Sequence, residues 1–234
     1  MATDKYKITP LRLGTITRKK SNMVYQASDT ITDFPLIAWL LEGQNAKILV
    51  DTGGSAPDGK RWMPYTRKDT EALDAALRLA GTEPEEISAV LHTHLHWDHA
   101  GNNAVLPNAK FYAQKLEYEF VRDELERGYD NELVLASEYE LIDGDTENVL
   151  PGISVILTPG HSVGSQSIIV DTPDGPVVIV GDLIPTFENF EKNIPNGGNY
   201  DLDVIRASMD KVRALGLPIL PGHEIGVFDR ASRS

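Results

Sequence analysis

The order of local patterns predicts a layered α/β protein with mixed sheets. Apolar strand patterns come in consecutive groups, amphipathic helical stripes fall between the groups, and no linker interrupts them. A strictly alternating barrel would place a helix after every strand, and several strands here follow one another directly.

The elements read in order as follows. Tyr6 to Thr17 alternates as a strand. Residues 18–33 are polar and irregular, with Met23, Val24 and Tyr25 inside, and read as a long loop. Leu36–Leu41 and Ala46–Val50 flank Glu42-Gly43-Gln44-Asn45, a hairpin pattern, and Asp51-Thr52-Gly53-Gly54 closes its second strand. Residues 55–65 form another irregular loop, carrying Trp62, Met63 and Tyr65. A helix over Lys68–Ala80 follows from the stripe Leu73, Ala76, Leu77, Ala80 and the stop at Gly81. A short capped turn at 82–86 leads into a buried strand, Ile87–Leu91. Ala109–Ala113 is a short strand and Gln114–Leu125 a helix. Ile153–Thr158, Gln166–Asp171 and Val177–Gly181 are strands, the last two joined by the strong turn Thr172-Pro173-Asp174-Gly175-Pro176. Asp201–Leu215 is an amphipathic helix with Val204, Ile205, Met209, Val212 and Leu215 inward, and Leu217–Leu220 is a last strand.

Composition narrows the function. The 234 residues fit one domain spanning 1–234. Against 22 basic side chains stand 35 acidic ones, a net charge of −13, so nucleic acid is not an expected partner. The densest basic run, Arg18-Lys19-Lys20, reads as a solvated strand end. There is no cysteine, which excludes disulfides, thiolate nucleophiles and Cys-ligated metals and suits a reducing cytosol. The N-terminus lacks an apolar signal core, and stretches such as Pro35–Leu41 are far too short to span a bilayer. The expectation is a soluble, cytoplasmic protein with no membrane or nucleic-acid partner; the oligomeric state, a homodimer included, is left open.

Four of the six histidines lie between His92 and His99. The run Leu91-His92-Thr93-His94-Leu95-His96-Trp97-Asp98-His99-Ala100-Gly101-Asn102 follows an apolar strand. Alternation puts His94 and His96 on one side of the strand end, and a turn into a helix puts Asp98 and His99 near its start. Three more ligand-type residues share one context, a β-run ending in a turn. They are His161 after Thr158-Pro159-Gly160, Asp182 after Val178-Ile179-Val180-Gly181, and His223 after Ile219-Leu220-Pro221-Gly222. A histidine at one strand end is ordinarily a hydrogen-bonded core or surface residue. A cluster that includes Asp and repeats the strand-then-turn setting points instead to a divalent metal, since imidazole and carboxylate are the ligands zinc takes.

These residues carry a resemblance. His94-Leu95-His96-Trp97-Asp98-His99, with His161, Asp182 and His223 downstream, is similar to the signature of the metallo-β-lactamase superfamily. Leu49-Val50-Asp51-Thr52-Gly53, Pro159-Gly160-His161-Ser162 and Pro221-Gly222-His223 match its settings too. The resemblance implies an αββα sandwich, two mixed sheets face to face with helices outside. It also implies two Zn2+ per chain, other divalent metals being possible ligands of the same set. His94, His96 and His161 would hold one ion, Asp98, His99 and His223 the other, and Asp182 would bridge them. A hydroxide between the ions would attack the carbonyl, and Asp98 would protonate the leaving oxygen. His92 and Asp51 match no ligand position and are placed either behind the ligands or in the core.

Within that superfamily the chain resembles the N-acyl-homoserine lactonase branch, the quorum-quenching lactonases. The size, the His-Leu-His-aromatic-Asp-His-Ala-Gly wording and the irregular N-terminal loops agree. The Asp182 position sets it apart from true β-lactamases. The mere eleven residues after His223 set it apart from glyoxalase II, and the lack of basic or flavin modules from the RNA-processing and flavodiiron members. A small-molecule lactone is the expected substrate. Cyclic amide, carbamate, phosphotriester or thioester hydrolysis stays open, as do a mononuclear iron persulfide dioxygenase and a metal protein without turnover. Met23, Val24, Tyr25, Phe34, Trp62, Met63 and Tyr65 either line an apolar cleft beside the metals or pack into the core. The lactonases carry a tyrosine three residues after the bridging aspartate; here that residue is Pro185, so Tyr25 and Tyr65 become candidate donors to the substrate carbonyl.

Overall fold

The computed structural model describes residues 4–55, 64–123 and 128–231. The first sheet contains β1 (Lys7–Lys19), β2 (Ile31–Glu42), β3 (Lys47–Val50), β4 (Tyr65–Thr66), β5 (Ile87–Leu91), β6 (Lys110–Gln114) and β7 (Tyr139–Ile142), in the order β4-β1-β2-β3-β5-β6-β7. Its β1–β4, β1–β2 and β2–β3 pairs are antiparallel, whereas β3, β5, β6 and β7 run parallel. The second sheet contains β8 (Thr146–Leu150), β9 (Ile153–Leu157), β10 (Gln166–Val170), β11 (Val177–Gly181) and β12 (Ile219–Pro221), in the order β12-β11-β10-β9-β8. Only β11 and β12 pair in parallel there. Both sheets are mixed, as expected.

The period-2 alternation of β2 explains the layering. Ile37, Trp39 and Leu41 point between the sheets, where they meet Ile153, Val155, Ile168, Val170 and Ile179. Leu36, Ala38 and Leu40 point the other way, against Leu73, Ala76 and Leu77 of α1 (Leu73–Leu79). Covered on both faces, the strand is apolar at every position from Phe34 to Leu41. The outer face of the second sheet offers Val178 and Val180 to Ile205, Met209 and Val212 of the long C-terminal helix Leu202–Ala214. The result is the αββα sandwich, and among the described residues no helix is long and apolar enough to cross a membrane.

Three expectations are corrected. Residues 18–33 are loop only over 20–30: β1 runs on to Lys19 and pairs with β2 through Lys19↔Ile31, so both ends of the stretch are strand. An antiparallel ribbon can face solvent, so its polar residues masked it. The helix over Lys68–Ala80 is instead a 3-10 turn at Asp69–Glu71 and then α1, because Ala72 is extended (φ −63°, ψ 140°) and Glu71 folds back to accept the Lys68 N–H at 2.9 Å. Strand β6 takes Gln114, and α3 spans Lys115–Asp123; the rest of the expected helix, like Trp62 and Met63, lies outside the described residues.

Candidate metal centre

The ends of β5, β11 and β12 and the β9–β10 connection bring seven ligand-type side chains together. Strand β5 stops at Leu91, so His94 and His96 sit on a loop, not on the strand as alternation suggested. The loop is extended and tied down, with the Asp51 N–H donating to Leu91 O (3.1 Å) and the Gln166 N–H to Thr93 O (2.8 Å). His94 and His96 therefore still face one side, their rings edge-on at 4.6 Å, and each meets the His161 ring at 4.8 Å. The short helix α2 (Trp97–Ala100) then presents Asp98 and His99, both buried.

The donor atoms form three overlapping groups, His94/His96/His161, His94/His99/Asp182 and Asp98/His99/His223, each with its atoms within 4.8 Å of one another. Asp182 joins them. Its Oδ1 stands 2.9 Å from His223 Nε2 and 3.3 Å from His99 Nε2, while its Oδ2 stands 3.4 Å from His161 Nε2. On one side His96 Nδ1 and His161 Nε2 are 2.9 Å apart, and on the other Asp98 Oδ2 lies 3.9 Å from His223 Nε2. A side chain at Gly222 would place its Cβ 2.8 Å from Asp182 Oδ1, so only glycine lets the His223 turn approach so closely.

The far nitrogens of four imidazoles are anchored. His99 Nδ1 donates to Asp51 Oδ2 (2.8 Å), His223 Nδ1 to Pro35 O (2.8 Å) and His161 Nδ1 to Gly198 O. The Thr93 hydroxyl donates to Asp51 Oδ2 (2.8 Å), which leaves its lone pair for His94 Nδ1 at 3.1 Å. With Nδ1 carrying the proton, each of the four presents a bare Nε2 to the cluster.

The electrostatics fit a bound cation. Burial, and then the neighbouring imidazoles His99 and His161, hold His94 and His96 well below the usual histidine range, so both stay neutral as ligands must. Burial opposes charge on Asp182, yet His223, His99 and His161 outweigh it and hold the carboxyl well below its usual range. Burial opposes charge on His99 too, but Asp182 and Asp51 on either side push it well above the usual value, so these carboxylates favour a cation at Nε2, a proton or the metal that displaces it. Finally, Nε2 of His94, His99 and His223 and Oδ1 of Asp182 are buried without a hydrogen-bond partner. Orphaned nitrogens aimed at an orphaned carboxylate oxygen are costly unless a cation sits among them.

Every expected ligand is in the cluster: His94, His96, Asp98, His99, His161, Asp182 and His223. Asp51 belongs behind it, accepting from the Thr93 N–H (2.8 Å), the Thr93 hydroxyl and His99. His92 is core: it is 1% exposed, stacks on Phe111 at 6.3 Å, and neither ring nitrogen has a hydrogen-bond partner. Met23, Val24 and Phe34 pack in the core with Leu36 and Trp97, and Val24 and Phe34 also wall a recess of about 210 Å³ that reaches His223. Tyr65 is likewise structural; its hydroxyl donates to Leu13 O at 2.9 Å and burial pushes its pKa up to about 12. Pro185 is buried and its carbonyl accepts the His223 N–H at 2.8 Å, so it holds a ligand turn. Sequence reasoning missed Thr93, Gly198 and Asn196, whose amide lies 2.7 Å from Asp182 O and 3.3 Å from His161 Nδ1. The turn-forming run Pro195-Asn196-Gly197-Gly198-Asn199 was the one local signal there.

The family model of the metallo-β-lactamase superfamily matches residues 32–223. The chain belongs to that superfamily and is a metal-dependent hydrolase. Among its relatives, an N-acyl homoserine lactonase from a Bacillus species is 33% identical over 214 residues, covering 83% of each chain. The lactonase AttM of Rhizobium johnstonii is 26% identical over 92% of this chain and 91% of its own. A solved N-acyl homoserine lactone hydrolase, with the product N-hexanoyl-L-homoserine at its catalytic metal centre, superposes with a TM-score of 0.84 at 27% identity, covering 98% of this chain and 97% of that one. The AiiA enzyme of B. thuringiensis, with N-decanoyl-L-homoserine bound, gives 0.84 at 28% identity and the same coverage.

Proposed function

We propose that this single-domain chain is a dinuclear zinc lactonase that opens the ring of N-acyl homoserine lactones. The observation that carries the reading is Asp182, whose two oxygens face different histidines, Oδ1 toward His99 and His223 and Oδ2 toward His161. A carboxylate so placed would serve both groups of histidines and hold them together around two metal ions. The bound lactonases among the relatives support the substrate class.

His94, His96 and His161 would hold one ion, Asp98, His99 and His223 the other. A metal pair at this place supplies an acidified water and Lewis-acid polarisation of the lactone carbonyl. Asp182 sets the spacing of the two ligand groups. Asp98, buried on α2 beside His223, would hold a proton and deliver it to the alkoxide leaving from the opened ring. Pro185 lacks an N–H and any side-chain donor, and the Tyr65 hydroxyl is committed to Leu13 O, so neither can stabilise the oxyanion. The absence of cysteine suits a cytoplasmic setting.

The test is turnover by purified, zinc-loaded protein of N-acyl homoserine lactones beside lactams, carbamates, aryl esters and phosphotriesters, followed by proton release. Ring opening of the lactones with a strong preference over the rest supports the reading. Turnover of another class with no lactone opened refutes the substrate assignment.

A further inference from the structure

Glu117 lies in the first turn of α3, directly after exposed Lys115 and Leu116, yet it has no exposed surface (0%). Its carboxylate is an acceptor for three separate donors. Oε1 accepts the Leu95 N–H and the Tyr129 hydroxyl, both at 3.1 Å, and Oε2 accepts the Gly164 N–H at 2.8 Å. Leu95 is the residue between His94 and His96. Gly164 closes the turn that begins at His161. The Tyr129 ring lies against His96, centroids 4.5 Å apart. The contact between the turn and the helix is flush: a Cβ at Gly164 would come within 2.7 Å of the Glu117 Cα.

We propose that Glu117 is a positioning residue for the metal centre, a buried clamp that fixes the His94–His96 loop against the His161 turn. All three ligands of one expected ion hang from its hydrogen bonds, whose donors are Leu95, Tyr129 and Gly164; His99 and His223 are held by other partners, Asp51 and Pro35. This rests on the two-ion reading above. Buried groups that orient ligands are typically worth 10–100-fold in metal affinity.

The experiment is Glu117→Gln with stepwise zinc affinities from chelator competition, and the absorption of the cobalt-substituted protein as a geometric readout. Gln keeps the shape but turns one oxygen into a donor. Whichever way the amide points, it opposes either the Gly164 N–H or the Leu95 N–H and Tyr129 hydroxyl. The expected result is one ion weakened about 10–100-fold with an altered cobalt spectrum, while the second affinity is kept. Wild-type affinities and spectrum in the variant overturn the clamp. Equal loss of both ions overturns it too, since that marks general destabilisation. If E117Q does not fold, Tyr129→Phe removes one donor and keeps the ring. It should weaken the same ion by about tenfold, the low end of that range, and an unchanged affinity overturns the proposal. A wild-type protein holding a single ion refutes the two-ion reading separately; the clamp then requires E117Q to weaken that ion by the same factor.

Discussion

Asp51→Asn isolates how much the metal centre owes to a carboxylate that stands outside the ligand set and holds one of its members, His99, from behind. Asp51 is buried at φ +64°, a left-handed conformation that Asn tolerates and that costs other residues roughly 1–2 kcal/mol. Asn therefore leaves the backbone alone and changes only the acceptors. Asp51 Oδ1 holds the Thr93 N–H, while Oδ2 holds both the Thr93 hydroxyl and His99 Nδ1. With the amide oxygen kept on Thr93 N–H, the new NH2 faces two donors. His99 can relieve this only by moving its proton to Nε2, the nitrogen it needs bare. Losing a charge-assisted hydrogen bond costs about 1.5–3 kcal/mol. That agrees with the roughly 10–100-fold loss of metal affinity expected of a group behind a ligand. Competition with a chelating dye should show one ion weakened by that factor and the other nearly untouched, with kcat falling. If both ions bind as in wild type, Asp51 is only a turn-former and the tautomer argument is wrong.

Other substitutions separate the remaining roles. Asp182→Ala takes a ligand from both groups at once, so elemental analysis should fall from near two metals per chain to one or fewer; retention of both refutes the bridge. Asp98→Asn keeps a coordinating oxygen and removes the acid, so metal content should hold while turnover drops, most for poor leaving groups; an equal drop across leaving groups counts against proton delivery. His92→Ala should destabilise by about 2–5 kcal/mol through the cavity beside Phe111 and Tyr139, with metal content intact; loss of metal would make His92 more than core. Tyr65→Phe orphans the buried Leu13 carbonyl and should cost about 1–3 kcal/mol in denaturant unfolding with kcat/KM unchanged; a large fall in kcat/KM would return it to the active site.

The cluster of ligand-type residues was legible because its chemistry is local. His94, His96, Asp98 and His99 come from one segment, and His161, Asp182 and His223 each follow an apolar run and a turn, a pattern that survives without any knowledge of what lies opposite. The mixed-sheet class was legible for the same reason, since short continuous apolar runs such as Leu36–Leu41, bounded by turn residues, announce strands wherever they end up. Long-range partners decided the rest. Asp51 is 42 residues from Thr93 and 48 from His99, so its role as a support had no local signature. Arg18–Lys19 and Ile31–Asp33 looked like loop because their stability comes from the pairing of β1 with β2 and not from apolar content. Tyr65 and Met23 were equally compatible with a cleft or a core until the fold closed over them. Glu117 is the extreme case. In a helix of alternating charge an acidic residue reads as solvated, and only the approach of the Leu95 loop and the Gly164 turn removes it from water. Which residues could bind a metal was set by their donor atoms, which the chain carries anywhere. Which of them are held rigid, and by what, depends on burial and direction between segments far apart in the chain, and those exist only once the two sheets have packed.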